Sequence, residues 1–325
     1  MRGLGRARPA GARIGAAAIA LLCLGACALT ASAAVARPAA KDCEAPAGGN
    51  GAGPGPLAGV CEYLDGREGV VQVALFDKAA GRAYRIVTGD DKQYTASIVK
   101  VDILGRWLRR YQNSEVKIPD DIPYSIRYLM ENMIKHSDNV AATSLFYFGG
   151  GCDALTRFNR LLPMDDTKVA CETSNYYGWG NTTTTASDQI TLMKAFAYGR
   201  GDRILSPDAQ SYGLKLMGDI QPDQRFGVSC GPWGSACSAP DYAIPDPDVD
   251  VALKNGWKTL PTCSLPIAQC PWQVNSTGAV KGKGRNYVLA VLTTDDPAGA
   301  DPLDGYHYGI DTIQNISLRV WDNLG

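Results

Sequence analysis

From Val70 to Phe76 the chain is an apolar, β-branched run (Val-Val-Gln-Val-Ala-Leu-Phe), which predicts a strand. Asp77-Lys78-Ala79-Ala80-Gly81 reads as a turn, and Arg82 to Val87 returns as a second strand. From about Asp120 to Gly218 the period changes. Ile126, Leu129, Met130, Met133 and Ile134 recur at i, i+3, i+4, i+7 and i+8, the spacing of a buried helix face. Further helices are predicted over 138–148, ended by Gly149-Gly150-Gly151, over 186–198, and from Ser206-Pro207, a cap residue followed by a first-turn proline. Residues 162–186 read as a long irregular loop, a feature that usually serves function. Strands resume at 249–257, 272–280 and 287–294, with a basic turn (Lys281 to Arg285) before the last, and a helix closes the chain over 309–324. Two strands, a helical block, three strands and a helix predict an α+β fold. Both chain ends join in one five-stranded antiparallel sheet, and the helical subdomain is inserted at about residues 96–220.

The helical block opens on Tyr94-Thr95-Ala96-Ser97-Ile98-Val99-Lys100. On a helix, Ser97 and Lys100 share one face, and an amine whose pKa is lowered by burial can activate a hydroxyl without histidine. The pair alone is common enough to arise by chance. Without further support, Lys100 is an ordinary solvated helix lysine.

Composition narrows the class. The formal charge of the 325-residue chain is −1, and no long basic run provides a footprint for nucleic acid. Arg2, Arg6, Arg8 and Arg13 precede an apolar run from Ile14 to about Leu29, which reads as a secretory signal over 1–33. Its end has two readings: cleavage at Ala31-Ser32-Ala33 or Ala34-Val35-Ala36, or a lipobox, Leu24-Gly25-Ala26-Cys27, that leaves Cys27 lipid-bearing. Residues 34–64, richest in Gly, Ala and Pro from Ala39 to Gly59, read as a linker, and 65–325 as the folded domain. Ten cysteines include two in the leader; the other eight fall as neighbours. In an exported chain the simplest connectivity is Cys43–Cys61, Cys152–Cys171, Cys230–Cys237 and Cys263–Cys270. With only His136 and His307 and no Cys-x-x-Cys, zinc is not expected, nor is any other cofactor. With His136 and His307 the only histidines, a Ser-His-Asp triad is not expected.

Ser97-Ile98-Val99-Lys100, then Ser137-Asp138-Asn139 between two helices, then Lys254-Asn255-Gly256 on the first strand after the block, resemble in order and context the serine β-lactamase and penicillin-binding-protein superfamily, the class A β-lactamase-like branch in particular. Gly178-Trp179-Gly180 before the threonine run (Thr182 to Thr185) is similar to a secreted actinobacterial subgroup of serine hydrolases. The resemblance covers about residues 65 to 325. It implies Ser97 as nucleophile, Lys100 as base, Ser137 as proton carrier to the leaving nitrogen, and Asn139 as a partner of substrate amide and lysine. Lys254 would attract a substrate carboxylate, beside Asn255 and Gly256, and the N–H groups of Ser97 and Trp257 would form an oxyanion hole. Taken locally, Ser137-Asp138 also reads as a helix cap, and Asn255-Gly256 as a hairpin turn.

The sequence departs from the family in two places. Asn255 stands where Thr or Ser is usual. The Glu-x-x-Leu-Asn stretch, whose glutamate positions the water that clears the acyl-enzyme, has as its counterpart Glu172-Thr173-Ser174-Asn175, with Ser174 in place of leucine. Asp165 and Asp166 are weaker candidates for that glutamate's role. The expectation is an exported, monomeric serine hydrolase acting on β-lactams or peptidoglycan-derived D-alanyl peptides, secreted or held at the cell envelope, with membrane contact only through a lipid on Cys27. The alternative is a catalytically impaired envelope lipoprotein serving as a binding scaffold. Glutaminases share the fold and the Ser-x-x-Lys pair but fit the second and third motifs less well.

Overall fold

The computed structural model describes residues 55–89, 92–112, 118–171, 177–199, 204–234, 243–266 and 269–325. The first apolar run, buried on both faces from Val71 to Leu75, forms β1 (Val70–Asp77), which turns at Gly81 (φ +64°) into β2 (Arg82–Val87). Two-residue strands β3 (Gln93–Tyr94) and β4 (Thr183–Thr184) pair with each other beside the inserted block. The later strands are β5 (Val249–Thr259), β6 (Trp272–Gly282) and β7 (Arg285–Thr294). Their order is β2-β1-β7-β6-β5, and every pairing is antiparallel. The chain's early and late strands therefore meet at the sheet centre, where Val73 pairs with Val291. β5 forms an edge. It runs straight through Asn255 and Gly256, paired to Ser276 and Asn275, so that dipeptide is strand and not turn.

Helices cover both faces of the sheet. The inserted block contains α2 (Lys100–Tyr111), α3 (Tyr124–Lys135), α4 (Asn139–Phe148), α5 (Gly151–Leu161), α6 (Ala186–Ala197) and α7 (Pro207–Gly218), preceded in the chain by α1 (Val60–Asp65). A short α8 (Cys230–Trp233) follows, and α9 (Asp304–Asn323) ends the fold. On one face, Val71, Val73, Leu75, Val251, Leu253, Leu289 and Val291 share a core with Ile310, Ile313, Ile316 and Val320 of α9. The opposite face presents small residues, Ala74, Ala252, Ala279 and Ala290, to the helical block, which lets α6 lie close on β1, β6 and β7. Each fully buried Val or Leu contributes about 1.5–3 kcal/mol, so both cores stabilise the sheet on which the site stands.

The structure departs from the sequence expectation in two places. Val60 and Leu64 are buried in the α9-side core, so the ordered chain reaches into the stretch expected to be linker. The glycines after α4 stop that helix but also start α5, with Gly150 at φ +93° as its cap. Two expected disulfides, Cys152–Cys171 and Cys263–Cys270, are formed. Cys61 and Cys230 are also disulfide-bonded; their expected partners, Cys43 and Cys237, lie outside the described residues. Among the described residues no helix is long and apolar enough to cross a membrane.

Candidate active site

A tight turn delivers the nucleophile candidate. Thr95 N–H donates to Thr182 O at 2.7 Å, and the Asn275 side-chain amide donates to Tyr94 O (2.9 Å) and Thr95 O (3.1 Å), which holds the turn on the sheet. Ala96 takes φ +46°, a strained value for an alanine, and Ala96–Val99 form a 3₁₀ turn that continues as α2 from Lys100. Ser97 is half-buried, whereas Lys100 is fully enclosed. Their three-residue spacing survives because the Lys100 N–H bonds back to Ser97 O.

The Lys100 amine is saturated. Its Nζ lies within hydrogen-bond reach of Ser137 O (2.6 Å), Asn139 Oδ1 (2.7 Å) and Ser137 Oγ (3.2 Å). Ser137 sits between α3 and α4 at φ +55°, a left-handed conformation that turns its backbone and hydroxyl toward the lysine. Capping falls to its neighbour: Asp138 accepts from Ala141 N at 2.6 Å, leaving the Ser137 hydroxyl free for the site. From β5, the Lys254 amine reaches the same hydroxyl at 3.0 Å and also donates to Asn255 O at 2.7 Å. Two amines thus converge on one hydroxyl.

That convergence, with burial, sets their protonation. Burial first, and then the charge of Lys254, lowers Lys100 to about 6, against a smaller opposing pull from Asp138. Burial lowers Lys254 to about 7, opposed by Asp223. Near neutral pH, Lys100 is largely an uncharged amine able to take a proton, and the Ser137 hydroxyl links it to a second amine.

The strand edge completes the arrangement. A Cβ on Gly256 would lie 2.6 Å from Ser97 N, 2.7 Å from Ile98 N and 2.8 Å from Thr95 O, so only glycine lets β5 approach the nucleophile turn this closely. The next residue, Trp257, brings its backbone to the same corner, while its ring packs on Phe226 and Tyr306 (5.6 Å each) on the α9 side of the sheet. Asn255 is also turned away from the lysines. Its amide donates to Gln224 O (2.8 Å) and Phe226 O (3.2 Å), so its side chain secures the 224–226 turn. Glu172 and Asn175 lie outside the described residues. Asp166 bonds to Lys92 (3.2 Å) and its N–H to Asp188, a role in fixing the loop. Among the described residues no three His, Cys, Asp or Glu side chains converge to hold a metal ion.

The model of the Beta-lactamase enzyme family matches residues 60–324. The chain belongs to that family.

Solved structures agree on the fold. A β-lactamase from Xanthomonas campestris pv. campestris superposes with TM-score 0.61 at 18% identity, over 82% of this chain and 96% of that one. PBP-A gives TM-score 0.60 at 20% identity, over 82% and 94%. An ancestral class A β-lactamase gives 0.58 at 20%, over 82% and 99%. No curated protein sequence matches the chain. This β-lactamase-family member gathers Lys100, Ser137, Asn139 and Lys254 into one hydrogen-bonded cluster beside Ser97 and Gly256, and leaves the Asn255 side chain out. Sequence reasoning missed one neighbour: the Trp179 ring, 5.0 Å from Lys100 Nζ. The Gly178-Trp179-Gly180 triplet was its only signal, and it gave no hint of a partner.

Proposed function

We propose that the protein is an exported serine hydrolase whose Ser97 is acylated by β-lactams or by D-alanyl peptides of the cell wall. The observation that carries this reading is the single Ser137 hydroxyl shared by two buried amines next to Ser97. In the proposed step Lys100, uncharged, takes the Ser97 proton as Oγ attacks the carbonyl carbon. The oxyanion is received by the N–H groups of Ser97 and Trp257, worth about 3–4 kcal/mol in comparable sites. Collapse breaks the C–N bond, and Ser137 hands the leaving nitrogen a proton drawn from the amine pair. Lys254, with its residual positive charge, attracts an anionic substrate. PBP-A, one structural neighbour, is known as a penicillin acyl-enzyme in mutant form, which supports penicillin as the probe.

Incubation with a fluorescent penicillin followed by intact-mass measurement tests the reading. One adduct per chain, lost in Ser97→Ala, is expected; no adduct on the wild type, or one that survives the substitution, overturns it.

A second reading, an envelope-held binding scaffold with impaired catalysis, is favoured by the commitment of the Asn255 side chain to the 224–226 turn. Nitrocefin hydrolysis that disappears in Lys100→Ala excludes it. Placement at the envelope, by lipid on Cys27 or by plain secretion, belongs to both readings; palmitate labelling lost in Cys27→Ala identifies the lipidated form.

A further inference from the structure

Three polar groups around the Lys100 amine have chemical roles, whereas the fourth neighbour, the Trp179 ring, has none so far. The indole is buried, 3% exposed, and its Nε1 donates to Thr143 Oγ1 at 3.0 Å. Thr143 stands one turn beyond Asn139 on α4, so the helix that supplies a polar partner of Lys100 also fixes the ring. The segment bearing the indole is tied to the nucleophile turn by Thr95 N–H on Thr182 O (2.7 Å) and by Thr182 N–H on Trp179 O (3.2 Å). Lys258 of β5 donates to Asn181 Oδ1, and the surface ring of Tyr177 meets the indole edge-on at 6.3 Å. A buried tryptophan ordinarily faces apolar neighbours; this one faces a titratable amine.

We propose that Trp179 is a positioning residue for Lys100, its indole face walling the amine off from water and keeping it aimed at Ser137 and Asn139. The proposal rests on the acyl-transfer reading above. An indole face offers Nζ no acceptor lone pair, so the amine's N–H groups stay directed at Ser137 and Asn139. It also tolerates a cation, so the amine stays in place after taking the Ser97 proton. The charged groups acting on this amine from its packed neighbours are Lys254 on β5 and Asp138 at the start of α4.

Two measurements test it. The wild-type chain has six tryptophans, and its fluorescence should show a pH transition with a midpoint near 6. Lys100→Met should abolish that transition, and His136→Asn, which removes a neighbouring imidazole, should leave it. A fluorescence profile with no Lys100-dependent step overturns the proposal without reference to catalysis. In the second measurement, fluorescent-penicillin acylation is followed against pH. Trp179→Ala should move the acid limb upward by about one unit or more as water reaches the amine, while Trp179→Phe keeps it within about 0.3 unit. Slowing by one factor at every pH, with the limb unmoved, marks a merely structural role and overturns the proposal. If Trp179→Ala fails to fold, Trp179→Phe and the fluorescence titration decide. A wild type that forms no adduct counts against the acyl-transfer reading, and the fluorescence step still judges the Trp179–Lys100 contact.

Discussion

Lys100 and Lys254 are both drawn below the ordinary lysine range, and the sign of each shift fixes a pH profile. In the proposed acyl transfer Lys100 serves as base only when uncharged, which requires pH above about 6. In the same proposal Lys254 attracts an anionic substrate only while charged, which fades above about 7. Acylation by an anionic β-lactam should therefore follow a bell with its maximum between those values, and Lys254→Met should lower the rate and flatten the alkaline limb. Adduct formation measured from pH 5 to 10 checks this, and a wild-type rate still climbing at pH 9 contradicts it. The same shifts act on stability. Between the folded values and the ordinary 10.5, the unfolded chain binds protons that the fold refuses, so these two groups make the protein more stable as pH rises through that window.

At the scale of elements, the acyl-transfer proposal depends on the contact between β5 and the turn that carries Ser97. Gly256→Ala would drive a Cβ into backbone at 2.6–2.8 Å, so the strand must retreat from Ser97 and carry the Trp257 N–H with it. Acylation should fall about 100-fold, the order seen when one oxyanion donor is lost, with a far smaller change in unfolding midpoint. A second junction joins α2 to α6. Asp102, wholly buried, has both carboxylate oxygens without a hydrogen-bond partner, and burial followed by the nearby charge of Asp188 raises it to about 8. The fold therefore holds a proton that the unfolded chain has released above about 4, so the contribution of this one group, opposite in sign to that of the lysines, falls as pH climbs toward 8. Asp102→Asn removes that dependence; its melting temperature should exceed the wild type's by about 5 °C at pH 9 and by less at pH 5, as read by calorimetry. These junctions were the less legible part of the sequence. Strands β1, β5, β6 and β7 follow from runs of residues buried on both faces, β2 from its place after the turn, and helices α3, α4, α6 and α7 from period and caps. Helix α5 was hidden because glycine signals both a stop and, at positive φ, a new start. The motifs placed Ser97, Lys100, Ser137, Asn139 and Lys254 together. Asn255 was misjudged as part of the ligand face, although alternation along a strand already sets it opposite Lys254. Trp179 was out of reach, since the packing of a loop ring on a distant amine leaves no periodic trace.

At the scale of the whole molecule, the two strands at the sheet centre come from opposite ends of the folded chain, with Val73 beside Val291. The ends also touch, since the Asn323 amide donates to Pro56 O (3.2 Å) and Ala58 O (3.0 Å). A fragment ending at residue 234 keeps β1, β2 and all of the inserted helices but lacks β5, β6 and β7, and with them the surface on which α6 rests. It should show weak circular dichroism and no cooperative melting, whereas a fragment that melted cooperatively would mean the helical block stands alone. The sheet order is therefore also a clock. During synthesis, β1 must wait for nearly the whole chain to arrive before its central partner exists, and closing so long a loop is slow. For that interval the apolar strand Val70–Asp77 lacks its neighbour β7, leaving it open to a chaperone or to a second copy of itself. How much of the protein reaches its working form is thus set by the time between the first strand and the last.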